Sequence, residues 1–205
     1  QAPRGFLQRA IDLAHEYHFA IVQDFAYAGL GVDAQQISIL SLPGAFDVAV
    51  EVCSLSKMYA MAGWRAGFIA GNDDIVSHVK QYHYQMGSMV TSSIQDAGTV
   101  ALLSDQSCVA ELAERYASRR EIVAGGLREV GLDVFDSDGG IYAWVHAPED
   151  QTGEQFADML LERAAVAALP GMCFGKVGKD YVRFSLLKSE DQLREAVRRV
   201  AAVLA

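Results

Sequence analysis

The chain is organised around residues 52–68, VCSLSKMYAMAGWRAGF. In this stretch Lys57 follows an apolar run, Ser54 and Ser56 precede it, and Arg65 comes eight residues later in a glycine-flanked turn. A lysine amine with apolar surroundings and a second cation nearby loses its proton more readily, and it can then attack a carbonyl carbon. The stretch therefore predicts Schiff-base chemistry at Lys57. The alternative is a solvated lysine that follows a strand.

Hydrophobic periodicity on both sides of this stretch predicts an α/β chain. Short apolar or alternating runs predict strands at 19–23, 48–53, 67–71, 139–145 and 180–186. Apolar residues at helical spacing predict helices at 4–17, from 72 onward, and at 92–104, 106–127, 152–167 and 189–204. The run at 19–23 is typical of a buried parallel strand, and a helix that leads into such a strand favours α/β architecture.

Three charged side chains lie close to the ends of the first three predicted strands. Asp24 follows the first strand, Lys57 follows the second, and Arg65 precedes the third. Functional groups of open α/β sheets gather at the carboxyl ends of the strands. We therefore expect Asp24, Lys57 and Arg65 to surround one crevice.

A domain boundary is predicted near residue 115. Three of the predicted strands precede it, and the remaining two strands, with the last two helices, follow it. The sequence thus predicts a larger sheet-containing domain over residues 1–115 and a smaller α+β unit over residues 116–205. No internal repeat or low-complexity segment is visible in the sequence.

Composition argues against several classes of protein. The 205 residues are 51% hydrophobic, and the net charge of −9 with scattered basic residues argues against a nucleic-acid surface. Cys53, Cys108 and Cys173 are far apart and form no C-x-x-C pair, so they predict neither a disulfide framework nor a zinc site and fit a reducing cytoplasm. The histidines show no metal-ligand spacing. No apolar run approaches the roughly 20 residues that cross a bilayer.

Three short motifs follow one another in a fixed order: DFAY at 24–27, SLSKMYAMAGWR at 54–65 and YVRFS at 181–185. In this order they resemble the class I/II aminotransferases of fold type I, which use pyridoxal 5′-phosphate (PLP). The middle motif is most similar to the branch that contains aspartate, alanine and diaminopimelate aminotransferases. The resemblance covers essentially the whole chain. It implies that residues 1–115 are the carboxyl-terminal part of the large, mainly parallel-sheet PLP-binding domain with a linking helix, and that residues 116–205 are the small C-terminal α+β domain.

The resemblance implies a role at the cofactor for each of five residues. Lys57 would hold PLP as a Schiff base and later move a proton at the substrate Cα. Asp24 would pair with the pyridine nitrogen, and Tyr27 would donate its phenol hydrogen bond to the 3′-oxygen. Ser54 and Arg65 would bind the phosphate. The alternatives are a turn aspartate at position 24 and a core tyrosine at position 27.

The resemblance also implies that Arg183 grips the α-carboxylate of every amino acid substrate through a bidentate contact. An arginine that points inward from a half-buried strand needs an anionic partner, and none is obvious nearby in the sequence. The alternative is an outward-facing charge at a sheet edge. Residues 171–175, which precede Arg183, resemble the family's flexible segment near the mouth of the active site.

The function implied by the resemblance is the transfer of an amino group from an amino acid to a 2-oxo acid. It would proceed by a ping-pong mechanism through Lys57 in a cytoplasmic homodimer that contacts no nucleic acid or membrane and needs no metal. A PLP-dependent C–S or other β-eliminating lyase is one alternative, and an aminotransferase-like regulatory domain is another. The family's phosphate loop, ring-stacking aromatic and asparagine near the 3′-oxygen have no counterpart here. We therefore expect the carboxyl-terminal portion of a longer enzyme, incomplete when isolated.

Overall fold

The computed structural model describes residues 2–31, 36–87 and 89–204. These residues form two compact units, one extending to Ala113 and the other beginning at Glu114. Within the described residues, each unit contains a three-stranded sheet with helices, which agrees with the predicted α/β character.

The first unit contains a mixed sheet with the strand order β1-β2-β3. Its helices and strands are α1 (Arg4–Tyr17), β1 (Ile21–Asp24), α2 (Ala45–Val48), β2 (Ala49–Ser54), α3 (Leu55–Met58), β3 (Gly67–Gly71), α4 (Asp73–Gln85) and α5 (Ser92–Leu103), and α6 (Ser107–Arg120) begins in this unit. Strand β1 is parallel to β2, whereas β3 is antiparallel to β2 and places Gly67 opposite Ser54. The carboxyl ends of β1 and β2 therefore meet the start of β3 at one edge.

Helix α1 supplies one side of the core in this unit. Leu7, Ile11 and Ala14 recur at helical spacing and are buried. Two of them, Leu7 and Ile11, pack with Ile39, Leu42, Ala45 and Ala49. The helix ends at His18, which has a left-handed φ of 58° and donates its backbone N–H to the carbonyl of Ala14. The predicted bounds of this helix are confirmed.

Strand β1 differs from the buried strand that its apolar sequence predicts. The Gln23 side chain hydrogen-bonds to the backbone of Ile37 and Ile39, so this face of the strand is covered. Neighbouring side chains of a strand alternate between faces. Val22 consequently points to the opposite face, where it is 62% exposed. The described residues cover only one face of β1, which is why the prediction of full burial is wrong.

The second unit contains an antiparallel sheet with the order β4-β6-β5. Its elements are α7 (Gly126–Glu129), β4 (Tyr142–His146), α8 (Gly153–Ala164), β5 (Leu169–Pro170), β6 (Tyr181–Ser185) and α9 (Glu190–Leu204). Thr152 and Gln155 form a capping box at the start of α8, and Ala165, with a φ of 52°, ends the helix earlier than predicted. The core contains Phe156, Leu160, Val145, Val182, Leu193 and Val200.

The single helix predicted over 106–127 is interrupted. Helix α6 ends at Arg120, a π-helical turn spans Glu121–Gly125, and α7 follows. The wider turn changes the helical phase, and Val123, Ala124 and Leu127 are all buried in the core of this unit. Periodicity alone could not predict the π-helical turn, because the separations of one and three residues between Val123, Ala124 and Leu127 are also typical of an ordinary α-helix.

Candidate functional site

Lys57 lies on α3, the single helical turn that directly follows β2. At the start of this turn, Ser54 Oγ accepts a hydrogen bond from the backbone N–H of Ser56 at 3.2 Å, and Leu55 is buried. At its end, the backbone N–H of Tyr59 donates to the carbonyl of Leu55 at 3.2 Å. Strand β2 and the Ser54 cap of α3 therefore fix the position at which the Lys57 side chain leaves the backbone.

The amine of Lys57 lies beside the ring of Tyr27. Its Nζ is 5.9 Å from the ring centroid, within reach of cation–π attraction. Tyr27 follows β1 in a turn in which Asp24 Oδ1 accepts a hydrogen bond from the backbone N–H of Ala26 at 3.2 Å. That bond uses one carboxylate oxygen of an exposed side chain, so a turn role for Asp24 leaves its second oxygen for a ligand.

Arg65 lies two residues before the start of β3, at the same sheet edge. Its backbone has a left-handed φ of 52°, and its Nη1 donates to the carbonyl of Ala62 at 3.1 Å. Gly67 allows β3 to approach β2 closely, because a Cβ at this position would lie 2.6 Å from the carbonyl oxygen of Cys53. The glycine thus permits the strand pairing that brings Arg65 back towards the end of β2.

Among the cavities of this unit are two that residues of the sheet line. One of about 400 Å³ is lined by Asp24, Tyr27 and apolar side chains of α1 and β1. Another of about 700 Å³ lies among β3, α4 and α5 and includes Lys80. Lys57, Ser54 and Arg65 line neither of these cavities. Asp24, Lys57 and Arg65 therefore share one edge of the sheet, but neither of these cavities is the expected crevice, because of the three only Asp24 lines one of them.

Arg183 lies in the second unit, on β6, opposite Trp144 of β4. Its guanidinium carbon is 3.9 Å from the ring centroid of Tyr142 and 4.4 Å from that of Phe174. The faces of these two aromatic rings stabilise the Arg183 cation. Among the residues that the structure describes, the Arg183 side chain makes no hydrogen bond or ion pair.

Sequence reasoning missed the two aromatic partners of Arg183. Strand alternation offered a signal for Tyr142, because it lies two residues before Trp144 and therefore on the same face of β4. Phe174 has no such signal, since it lies on the helical turn Gly171–Phe174 rather than on a strand.

Two further groups near the edge have perturbed protonation. Burial, followed by the nearby Glu51 carboxylate, raises the pKa of the Cys53 thiol. Burial is also the largest cause that raises the pKa of Tyr59, whose hydroxyl donates to Gln106 Oε1 at 2.7 Å. Both changes favour the neutral form, which suits packing rather than acid–base chemistry.

Neither a metal cluster nor a membrane span is found in the part of the chain that the structure describes. No group of three or more histidine, cysteine, aspartate or glutamate side chains could hold an ion there. No helix there is long and apolar enough to cross a bilayer.

Comparison with known proteins identifies the class of protein to which this chain belongs. The model of the family "Aminotransferase class I and II" matches residues 1–200. The chain therefore belongs to the class I and II aminotransferase family, whose members are PLP-dependent enzymes. Family membership confirms the predicted fold type and the predicted PLP cofactor.

Three individual proteins illustrate the similarity. The L-glutamine--4-(methylsulfanyl)-2-oxobutanoate aminotransferase of Bacillus subtilis is 42% identical over 97% of this chain and 50% of its own length. The glutamate-pyruvate aminotransferase AlaC of Escherichia coli is 40% identical over 97% of this chain and 49% of its own length. An aminotransferase structure from Staphylococcus aureus matches all of this chain and 54% of its own with a TM-score of 0.93 at 34% identity. The chain thus spans about half the length of these relatives.

Proposed function

We propose that the full-length protein is a PLP-dependent aminotransferase that moves an amino group from an amino acid to a 2-oxo acid by a ping-pong cycle. The observation that carries the proposal is the placement of Lys57 on the turn after the central strand, with its amine beside Tyr27. Family membership supports the same reaction.

The side chains at the sheet edge fit PLP in chemical type. The cofactor offers an aldehyde, a pyridine nitrogen, a phenolic oxygen and a phosphate. The edge offers an amine from Lys57, a carboxylate from Asp24, a phenol from Tyr27, and a hydroxyl and a guanidinium from Ser54 and Arg65. Each ligand group thus has a complementary partner.

In this proposal, PLP supplies an aldehyde and a cationic ring that withdraws electrons from the substrate Cα. Lys57 would hold the aldehyde carbon covalently through its amine and, when free, would act as the base that takes the proton from the substrate Cα. Asp24 would pair with the ring nitrogen, and Tyr27 would donate a hydrogen bond to the 3′-oxygen. Ser54 and Arg65 would hold the phosphate.

Arg183 binds the substrate carboxylate in this proposal. A guanidinium presents two parallel N–H donors that match the two oxygens of a carboxylate. Because every amino acid and every 2-oxo acid carries this carboxylate, one arginine positions both substrates of the cycle.

The assembly, the location and the domain roles belong to the same proposal. Cys53, Cys108 and Cys173 are free thiols, which supports a reducing cytoplasm. The unit that ends at Ala113 corresponds to the cofactor domain, and the unit from Glu114 corresponds to the small domain. We expect a homodimer, which sedimentation of the full-length protein would test.

Transfer of ¹⁵N from labelled glutamate to pyruvate tests the reaction directly. We expect labelled alanine from the full-length protein, no transfer by Lys57→Ala, and undiminished transfer by the control Lys80→Ala. Lys80 is a fair control because its amine lies 6.0 Å from the ring of Tyr84, much as Lys57 lies near Tyr27. Release of ammonia and a 2-oxo acid without labelled product, across a panel of donors and acceptors, would instead identify a lyase.

A further inference from the structure

The second unit carries a continuous row of aromatic rings beside one cation. On β4 and β6, Ala143, Val145, Val182 and Phe184 are buried in the core. The alternate residues of both strands face the other side. There the ring of His146 contacts Tyr181 edge-on at 4.9 Å, and Tyr181 stacks on Trp144 at 5.3 Å. The row continues to Phe174, whose ring meets Trp144 edge-on at 5.8 Å, and it ends at Arg183.

Two aromatic rings lie close to the Arg183 guanidinium. Phe174 and Tyr142 lie at 4.4 and 3.9 Å from the guanidinium carbon, well inside the roughly 6 Å over which a ring attracts a cation. A guanidinium carries its five N–H donors in its own plane. Those donors remain available for a ligand, since no protein group in the described ranges hydrogen-bonds to them.

The backbone holds Phe174 against Arg183. Gly171 begins the helical turn that carries Phe174, and a Cβ at Gly171 would lie 2.8 Å from the Trp144 ring, so this backbone rests directly on the aromatic row. The turn ends at Gly175, whose φ of 123° suits glycine. The close approach of this short segment to Trp144 thus places Phe174 beside Arg183.

We infer that Phe174 and Tyr142 are positioning residues that clamp the Arg183 guanidinium in the orientation that takes a substrate carboxylate. This inference rests on the proposed role of Arg183. A free arginine side chain loses rotamer freedom when it binds a ligand, and a clamp removes part of that cost before the substrate arrives. The clamp also favours a guanidinium, because this planar group stacks on aromatic rings whereas an ammonium is a compact point charge.

The first part of the test asks whether the clamp affects carboxylate recognition in the full-length enzyme. The readout is kcat/KM for an amino acid divided by kcat/KM for the corresponding decarboxylated amine. We expect Phe174→Leu and Tyr142→Leu to lower this ratio by about five- to thirtyfold, the loss expected from one cation–π contact. Tyr142→Phe keeps the ring and should keep the ratio. Val177→Ala is the matched control on the same segment, since Val177 is 93% exposed.

The second readout does not depend on turnover. Ring currents shift the resonance of the Arg183 Nε–H proton, and Phe174→Leu should move this resonance towards the position of an unstacked arginine. Calorimetry with pyruvate should show weaker binding in the same variant. A merely structural role for Phe174 would lower the free energy of unfolding while leaving the substrate ratio unchanged.

Arg183→Lys separates failure of the clamp from failure of the proposed function. If Arg183→Lys collapses the ratio while Phe174→Leu leaves it at the wild-type value, the clamp is overturned and the carboxylate role of Arg183 stands. If Arg183→Lys itself leaves the ratio unchanged, Arg183 does not bind the carboxylate, and the clamp proposal falls with that role.

Discussion

At the scale of single residues, the Asp24 carboxylate has an observed role in a turn and a proposed role at the cofactor. Its Oδ1 accepts the backbone N–H of Ala26, and an asparagine could accept the same bond without the charge. We expect Asp24→Asn to keep cofactor affinity close to wild type, because the phosphate contacts supply much of the binding. The rate of a single amino transfer should fall by roughly a hundredfold or more, as when one preorganised electrostatic contact is lost.

Two measurements decide between the two roles of Asp24. Stopped-flow spectroscopy gives the rate of the single amino transfer, and a cofactor titration gives the affinity for PLP. Asp24→Ala removes both the charge and the turn bond and serves as the comparison. A wild-type rate in Asp24→Asn would show that the residue acts only in the turn.

Cys53 provides a prediction about pH. Burial and Glu51 raise the pKa of its thiol, so at a given pH a smaller fraction is the reactive thiolate. We expect iodoacetamide at pH 8 to label the exposed Cys108 and Cys173 well before Cys53, as followed by mass spectrometry. Glu51→Gln should shift the pH profile of Cys53 labelling to lower pH, because it removes the neighbouring negative charge. Equal labelling of all three thiols would contradict this account.

At the scale of elements, the pairing of β3 with β2 determines where Arg65 lies. A Cβ at Gly67 would press on the Cys53 carbonyl, so Gly67→Ala should cost about 1–3 kcal/mol of unfolding free energy, as overpacking usually does. Gly63→Ala is the matched control in the same turn, because a Cβ there meets nothing within 4 Å. Urea unfolding of both variants gives the comparison. Equal stability in the two would show that β3 adapts without strain.

The elements that the sequence predicted best are those whose signals are local. Helix α1 has a clean apolar stripe, and its bounds agree with the prediction. The π-helical turn Glu121–Gly125 and the two-residue strand β5 were missed. Both depend on packing within the second unit, and a strand of two residues that contains Pro170 has no alternation to detect.

The sequence could predict the position of those candidate site residues that lie next to the ends of strands. The positions of Asp24, Lys57 and Arg65 at one sheet edge follow from the order of β1, β2 and β3. The contact between Arg183 and Phe174 could not be predicted, because Phe174 lies outside the sheet. The roles of these residues remain predictions.

At the scale of the whole molecule, the sheet of the first unit leaves apolar side chains uncovered by the described residues. Val22 is the most exposed of them on β1. We expect the 205-residue chain by itself to self-associate through this face, since exposed apolar strands favour pairing with other chains. Val22→Lys should reduce the association, whereas Val177→Lys, a change at a solvated position of the other unit, should not. Sedimentation that shows a monomer at every concentration would contradict the expectation.

The central claim is that Lys57 is the residue that binds PLP covalently. Borohydride reduction of the full-length protein with PLP, followed by peptide mapping, tests it most directly, because reduction fixes the cofactor on the amine that holds it. We predict that the cofactor is attached to Lys57, in the motif at residues 54–65, and that trypsin therefore no longer cleaves after Lys57. Modification of Lys80 or Lys176 in place of Lys57 would contradict the account.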